Sequence, residues 1–564
     1  MSKVFSYLII ALCGLFFFFF FFWPMGETLR GAFQTAEGAF TVDYIAEVFR
    51  NPIYRDGLIN ALLLGLASTA ATFLLAVPLA FLADRFLFPG KSLLTGLLLV
   101  PMILPPFVGA IGIKQILGQN GALNTLLTQL GFMDPLHPFD WLGEGRFWGI
   151  VIMNALHLYP ILYLNVTAAL ANIDPAMDEA AENLGCTGLR KFWKITVPLI
   201  LPGLFAGGTI VFIWAFTELG VPLMFEYNRV TSVQIFAGLR DIGGNPFPFA
   251  LVAVMLASTV LLYALSKWLF GGQGYAMISK AATIGGPRRP GVAMRWFCTG
   301  VFALVFFIAV LPHLGVILVA FSKDWYGTIL PTGWTLEHFE AALGHNLTLP
   351  SIQNSLKYAS LATLLDLVLG IAIAWIVVRT KVRGRHIIDA LSMLPLAVPG
   401  LVLAFGYLAM TQEGKLFGAL NPVRDPLLIL VIAYAVRRLP FVVRSAVAGL
   451  QQTSVTLEEA AHNLGCPPWR TLLRITIPLI MANLLAGGLL AFSFAMLEVS
   501  DSLLLAQKMQ DFPITKAIFE LYQLLGEGRF IACALGVWAM AFLGVTILGA
   551  SLLLGKKFGA LFRI

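Results

Sequence analysis

The sequence predicts an all-α integral membrane protein with about twelve membrane-crossing helices, laid out as two parallel six-helix repeats. Three observations carry this. Of 564 residues, 59% are hydrophobic and only 12% charged, with a mean hydropathy of +0.84. A water-soluble domain needs roughly a quarter of its residues charged. Apolar windows long enough to cross a hydrocarbon layer of about 30 Å recur along the whole chain. Finally, "EAAENLGC" at 179–186 returns almost letter for letter as "EAAHNLGC" at 459–466.

The windows fall at 5–23, 58–83, 92–113, 147–170, 199–220, 248–270, 295–320, 354–379, 387–410, 426–449, 478–500 and 530–555. Backbone amides inside lipid find no water, so each window is expected to be a helix. The first contains seven consecutive phenylalanines, Phe16 to Phe22, and is followed by "WPMGETLR". With only Lys3 before it and no small-x-small cleavage site after it, it reads as a retained span and not as a leader. The turn "RTKVRGRH" at 379–386, with Arg379, Lys381, Arg383 and Arg385, sets the orientation. Placing it inside puts both termini and both "EAA" copies in the cytoplasm.

The formal charge of +7 does not point to nucleic acid, because the basic residues form no stripe with interleaved aromatics. The five cysteines have no ligand spacing with the histidines. No metal site is therefore expected.

Adding 280 to 179–200 reaches 459–480 without a gap, and the match runs on to Glu218 and Glu498. Upstream the offset is 294, pairing Asn60 with Asn354, Arg85 with Arg379, Pro105 with Pro399 and Gly112 with Gly406. An outer loop, longer in the first half, absorbs the difference. The halves share one orientation, so they are parallel repeats. The expected division is a first transmembrane domain at 1–270, a Gly-, Pro- and Arg-containing cytoplasmic linker at 271–294, and a second transmembrane domain at 295–564.

Each repeated segment, 174–198 and 454–478, is far longer than a turn between neighbouring spans needs. Asp174 before Pro175 reads as an N-cap; Thr456 with Glu459 reads as a capping box. Gly185 and Gly465 are placed to end a short helix in the left-handed region. A second amphipathic stretch then leads into the next span. Such an elbow could simply lie on headgroups, but its acidic first part suits an anionic leaflet poorly. Acids, alanines and a hinge glycine in register suit a groove on a soluble protein better.

These two stretches, "EAAENLGCTGLRKFWKITVPLILPGL" and "EAAHNLGCPPWRTLLRITIPLIMANL", resemble the EAA loop of ABC importer permeases. The resemblance implies the type I importer transmembrane fold, with Glu179, Ala180, Ala181 and Gly185 on one elbow and Glu459, Ala460, Ala461 and Gly465 on the other gripped by a cytoplasmic ATPase homodimer. That partner would use ATP-Mg; this chain has no GxxxxGK[ST] loop and would bind no cofactor. Two fused domains, the "YAMISKAATIGG" linker and the "EVSDSLLLA" stretch resemble the ferric-iron importer group. Related members carry thiamine, aminoethylphosphonate or polyamines. The resemblance further implies a bacterial inner membrane location and a periplasmic substrate-binding protein as second partner.

Charges inside the predicted spans are the remaining candidates. Arg437, Arg438 and Arg444 interrupt an apolar window, His157 is the first-half counterpart of Arg437, and Glu218, Glu498 and Asp501 close the fifth and eleventh windows. Each is costly against lipid. Two readings stay open: an ion-pair lattice that holds helices together, or a route for a charged solute. The rival function is an ion-coupled secondary transporter, which can share the repeat but has no use for the elbows.

Overall fold

The computed structural model describes residues 3–35, 37–102, 105–143, 146–173, 175–239, 245–270 and 289–554. Asp174 and residues 271–288 of the expected linker lie outside them. Among the described residues there is no strand, only two isolated bridges, Gln34 with Phe40 and Ser322 with Trp334.

Membrane-length helices follow the predicted order. They are α1 Val4–Phe33, α2 Pro52–Arg85, α3 Lys91–Met102 with Pro106–Gln129, α4 Phe147–Ala171, α5 Gly188–Met224, α6 Phe247–Leu265 and α7 Val292–Phe321. The rest are α8 Thr348–Arg379, α9 Arg385–Leu396 with Gly400–Met410, α10 Leu427–Gln452, α11 Pro468–Met496 and α12 Gly528–Thr546. Nine of these are long and apolar enough to cross a membrane unaided, and eleven if each bent pair, α3 and α9, counts as one span. The difference from the expected twelve is α10, 26 residues long, whose three arginines make it too charged to stand in lipid alone. The first helix runs further than its predicted window, continuing past Trp23 to Phe33.

The bends in α3 and α9 are close to right angles, 97° and 100°. At each, a proline stands in extended backbone, Pro105 with ψ 116° and Pro399 with ψ 137°. Proline has no N–H to donate, and its ring excludes the preceding helical turn, so carbonyls are released there. At α3, side chains of α4 take two of them up: His157 bonds the Pro101 carbonyl at 2.9 Å and Tyr159 donates to the Leu98 carbonyl at 2.8 Å.

Contacts group the chain into two compact units that do not coincide with the sequence halves. One holds Met1–Arg55, Thr231–Ala257 and Glu337–Phe562; the other is built mainly of Asp56–Val230 and Ser258–Leu336. Each half's first helix, α1 or α7, thus belongs to the unit built on the other half. A repeated glycine makes room for it both times. Within the first unit, a Cβ on Gly406 would sit 2.8 Å from the Pro24 carbonyl oxygen of α1, and Tyr407 donates to the Phe20 carbonyl at 2.6 Å. Within the second, a Cβ on Gly112 would collide with the Pro312 carbonyl of α7. Both obstacles are backbone, which cannot swing aside.

Gly406→Leu should therefore destabilise the detergent-solubilised protein by about 1–3 kcal/mol or more through overpacking. Thermal unfolding measures this against Gly544→Leu, a helical glycine with open space around it, which should unfold like the parent.

Candidate functional site

Two parts of the molecule have functional geometry: a pair of elbows at the predicted cytoplasmic ends, and a network of charges inside the second half.

The elbows are built alike. The first copy forms a helix over Pro175–Asn183, the second over Thr456–Asn463. Gly185 (φ +75°) and Gly465 (φ +81°) end them in the left-handed region. The stop is closed by Gly185 N–H to Glu182 O (2.9 Å) and Cys186 N–H to Ala181 O (2.8 Å), repeated as Gly465 to His462 and Cys466 to Ala461, both 2.9 Å. A Cβ would meet nothing at either glycine, so conformation and not space demands the residue. One short helix and one wide turn, Phe192–Thr196 or Leu472–Thr476, then enter α5 or α11.

Ala181 and Ala461 are buried under their elbows, while Glu179, Ala180, Glu459 and Ala460 are exposed. The expected Thr456–Glu459 capping box does not form. Ser454 Oγ accepts the Thr456 N–H instead, at 3.3 Å, because the helix starts at Thr456 itself.

Glu458 is the carboxylate that fixes the second elbow. It is buried, pairs with Arg379 Nε at 3.1 Å and accepts from Thr476 at 3.2 Å. Arg379 also donates to the Thr453 carbonyl at 3.1 Å. Sequence reasoning passed over Glu458, yet a signal existed: the first half carries Asp178 and Arg85 at the matching positions. The first elbow has a further tie, Lys191 Nζ to Glu182 at 2.9 Å.

Beside the hinge glycines stand Leu184 and Leu464, 86% and 88% exposed. Trp193 and Trp469 are exposed too. A leucine held out on a rigid turn, the same in both copies, is what an apolar pocket on a soluble partner would receive.

The charged network belongs to α10, α11 and the short Ser500–Leu505 helix that follows. Arg437 Nη1 reaches Glu498 Oε1 at 2.6 Å and Asp501 Oδ2 at 3.4 Å. Arg438 pairs with the other Glu498 oxygen, donates to the Phe494 carbonyl at 2.9 Å, and lies 3.9 Å from Asp501. Tyr434 stacks under Arg438, its hydroxyl donating to Ser502 Oγ at 2.6 Å; Ser502 in turn donates to the Glu498 carbonyl. The Arg437 guanidinium occupies the space that a Cβ on Gly400, at the α9 bend, would take. The Arg437 side chain is 21% accessible, against 7% or less for Arg438, Glu498 and Asp501. Within the network, Arg437 is therefore the charge a solute could touch.

The other predicted candidates are not part of this cluster. Arg444 pairs with Asp389 at 3.3 Å, in the first turns of α9, and is half exposed. His157 and Glu218 belong to the other unit. His157 holds the α3 bend, as described above. Glu218 caps a short helix, accepting the N–H groups of Gly220 (3.0 Å) and Val221 (3.2 Å). Among the described residues, no group of three or more His, Cys, Asp or Glu side chains could hold a metal.

Removing Glu498 would leave two guanidiniums facing one aspartate. Glu498→Gln should cost about 3–5 kcal/mol, the range for breaking a buried pair, seen as a lower unfolding temperature and yield. An unchanged unfolding temperature would mean the arginines reach water.

Comparison with known proteins adds the family. A model of the binding-protein-dependent transport system inner membrane component matches residues 73–271 and again 366–552, one match in each half. The ferric transport system permease protein FbpB of Actinobacillus pleuropneumoniae is 28% identical over 81% of this chain, which spans 64% of that relative's length. The Fe(3+)-transport system permease protein FbpB 2 of Haemophilus influenzae is 24% identical, with 81% of this chain and 83% of the relative covered. The molybdenum transport system permease protein ModB of Haemophilus influenzae is 30% identical, but over 37% of this chain and 93% of its own length. The two-fold match joins the duplicated helices and elbows to one conclusion: the chain belongs to the family of inner membrane components of binding-protein-dependent transport systems, with two such domains fused in one polypeptide.

Proposed function

We propose that the chain forms the membrane pathway of an ATP-driven importer for ferric iron, worked from the cytoplasm by a separate ATPase pair and supplied from outside by a substrate-binding protein. The observation that carries the mechanical half of this reading is the twin elbow. Two matching helices end in left-handed glycines and hold out Leu184 and Leu464, so a two-fold partner would find the same handle twice. Glu179, Ala180, Ala181 and Gly185, with Glu459, Ala460, Ala461 and Gly465, form the rest of each handle. A motor that closes on nucleotide would draw the handles together and tip α5 and α11, which continue from the elbows through one turn each. Rocking of the two bundles then alternates access to the pathway.

Ferric iron is favoured because the relatives carrying that word in their names match along both halves, whereas the molybdenum relative matches a stretch shorter than one half, 37% of the chain. Iron delivered with coordinating anions would also be met by Arg437, the accessible charge of the network. The chain itself takes the role of permease, with its termini and elbows in the cytoplasm.

Changing Leu184→Asp together with Leu464→Asp should abolish co-purification of the ATPase while leaving the protein folded in the membrane. Retention of the ATPase at parental levels would remove the docking assignment. Cells lacking the chain should lose uptake of radiolabelled ferric iron and keep uptake of thiamine and phosphonate; the reverse pattern would reassign the solute.

A further inference from the structure

Asp366 lies on α8, outside both the elbows and the Arg437–Arg438 network. Its side chain is fully buried, and neither carboxylate oxygen has a hydrogen-bond partner among the described residues. A carboxylate inside a membrane span with no partner is costly to keep, so its neighbours matter.

Its level in the fold follows from glycine packing. A Cβ on Gly370 of α8 would sit 2.7 Å from Val442 of α10, so these two positions face each other. Further along, Arg379 of α8 reaches Thr453 just past α10, so the two helices run parallel. One turn before Gly370 is Asp366; one turn before Val442 is Arg438. Positions four apart share a helix face, which sets Asp366 opposite Arg438. Arg438 is also the charge whose field Asp366 feels.

The repeat supports the pairing independently. At the matching first-half positions stand Thr72 and Leu158, and Thr72 satisfies itself on the Ser68 carbonyl at 2.8 Å. Acid and base are present together in one half and absent together from the other.

Arg438 is only partly committed. Its Nη2 serves Glu498 and the Phe494 carbonyl, while Nη1 has no hydrogen-bond partner among the described residues, with Asp501 at 3.9 Å. Glu498 stands on the non-helical joint between α11 and the Ser500–Leu505 helix, whereas Asp366 and Arg438 stand in the middle of continuous helices. Of the three, only the joint lies outside regular helix, so a change of backbone torsion there breaks no continuous helix when α11 is levered from its elbow.

We propose that Asp366 is a positioning residue of the transport cycle, the second seat that receives Arg438 when Glu498 moves away. This rests on the transport reading above. The arginine is then paired in both arrangements, and the joint can move without stranding a bare guanidinium in the membrane. The switch is an exchange of ion-pair partners, with no bond made and no proton transferred.

The test uses the complete transporter, reconstituted with its ATPase and binding protein in vesicles. The parent is measured first; if it imports nothing on ATP, the transport reading fails and not this one. Asp366→Asn, and Asp366→Thr as the residue the first half carries, should assemble at normal yield. Both should lower the maximal import rate by about tenfold or more while the half-saturating concentration of loaded binding protein stays within about twofold, the pattern of an interaction made only during turnover. Asp366→Glu should recover most of the rate. Parental import by Asp366→Asn, failure of both neutral variants to assemble, or a change confined to half-saturation would each overturn the proposal.

Discussion

A guanidinium in a hydrocarbon layer must bring its own partner, and much of the second half is arranged around that constraint. Arg437 and Arg438 lie near the middle of α10, roughly 15 Å from its first residue at 1.5 Å per residue. The chain answers with Glu498 and Asp501, placed by breaking the helix after Met496 and starting another at Ser500. The α9 bend at Pro399 and the bare Gly400 leave the room that Arg437 needs. Helix break, helix bend and missing Cβ are three local irregularities, each unfavourable alone, that become consistent once the two charges are present.

The elbows obey the opposite rule. At the predicted cytoplasmic surface, water satisfies polar groups freely, so what stands out is an apolar side chain left uncovered. Leu184 and Leu464 are held out by glycines whose backbone no other residue adopts easily. Beneath the second one, Arg379 and Glu458 tie the elbow to the ends of α8 and α10. A push on that elbow is therefore delivered to helices, two of which carry Asp366 and Arg438. Handle and charge network share the same struts.

Much of this was legible in the sequence. Hydropathy and the 280-residue repeat located the helices, the hinge glycines and the charged residues of α10 and α11. It could not be told that His157 and Glu218 would serve as local braces, since a repeat aligns positions without saying which neighbours they meet. Arg444 parts from the network for a related reason: seven residues after Arg437, it sits two turns further along α10, where Asp389 meets it. Glu458 was overshadowed by its neighbour Glu459, although an acid and an arginine recur at the matching positions of both halves. The exchange of α1 and α7 between units is set by contacts far apart in sequence, and only Gly112 and Gly406 hint at it.

In the proposed function this chain is a passive pathway driven by an engine outside it. Vesicles holding the chain with its ATPase and binding protein should accumulate ferric iron only while ATP is hydrolysed, and vesicles with the chain alone should not, whatever ion gradient is imposed. Accumulation by the chain alone on a proton or sodium gradient, with no nucleotide consumed, would contradict the account.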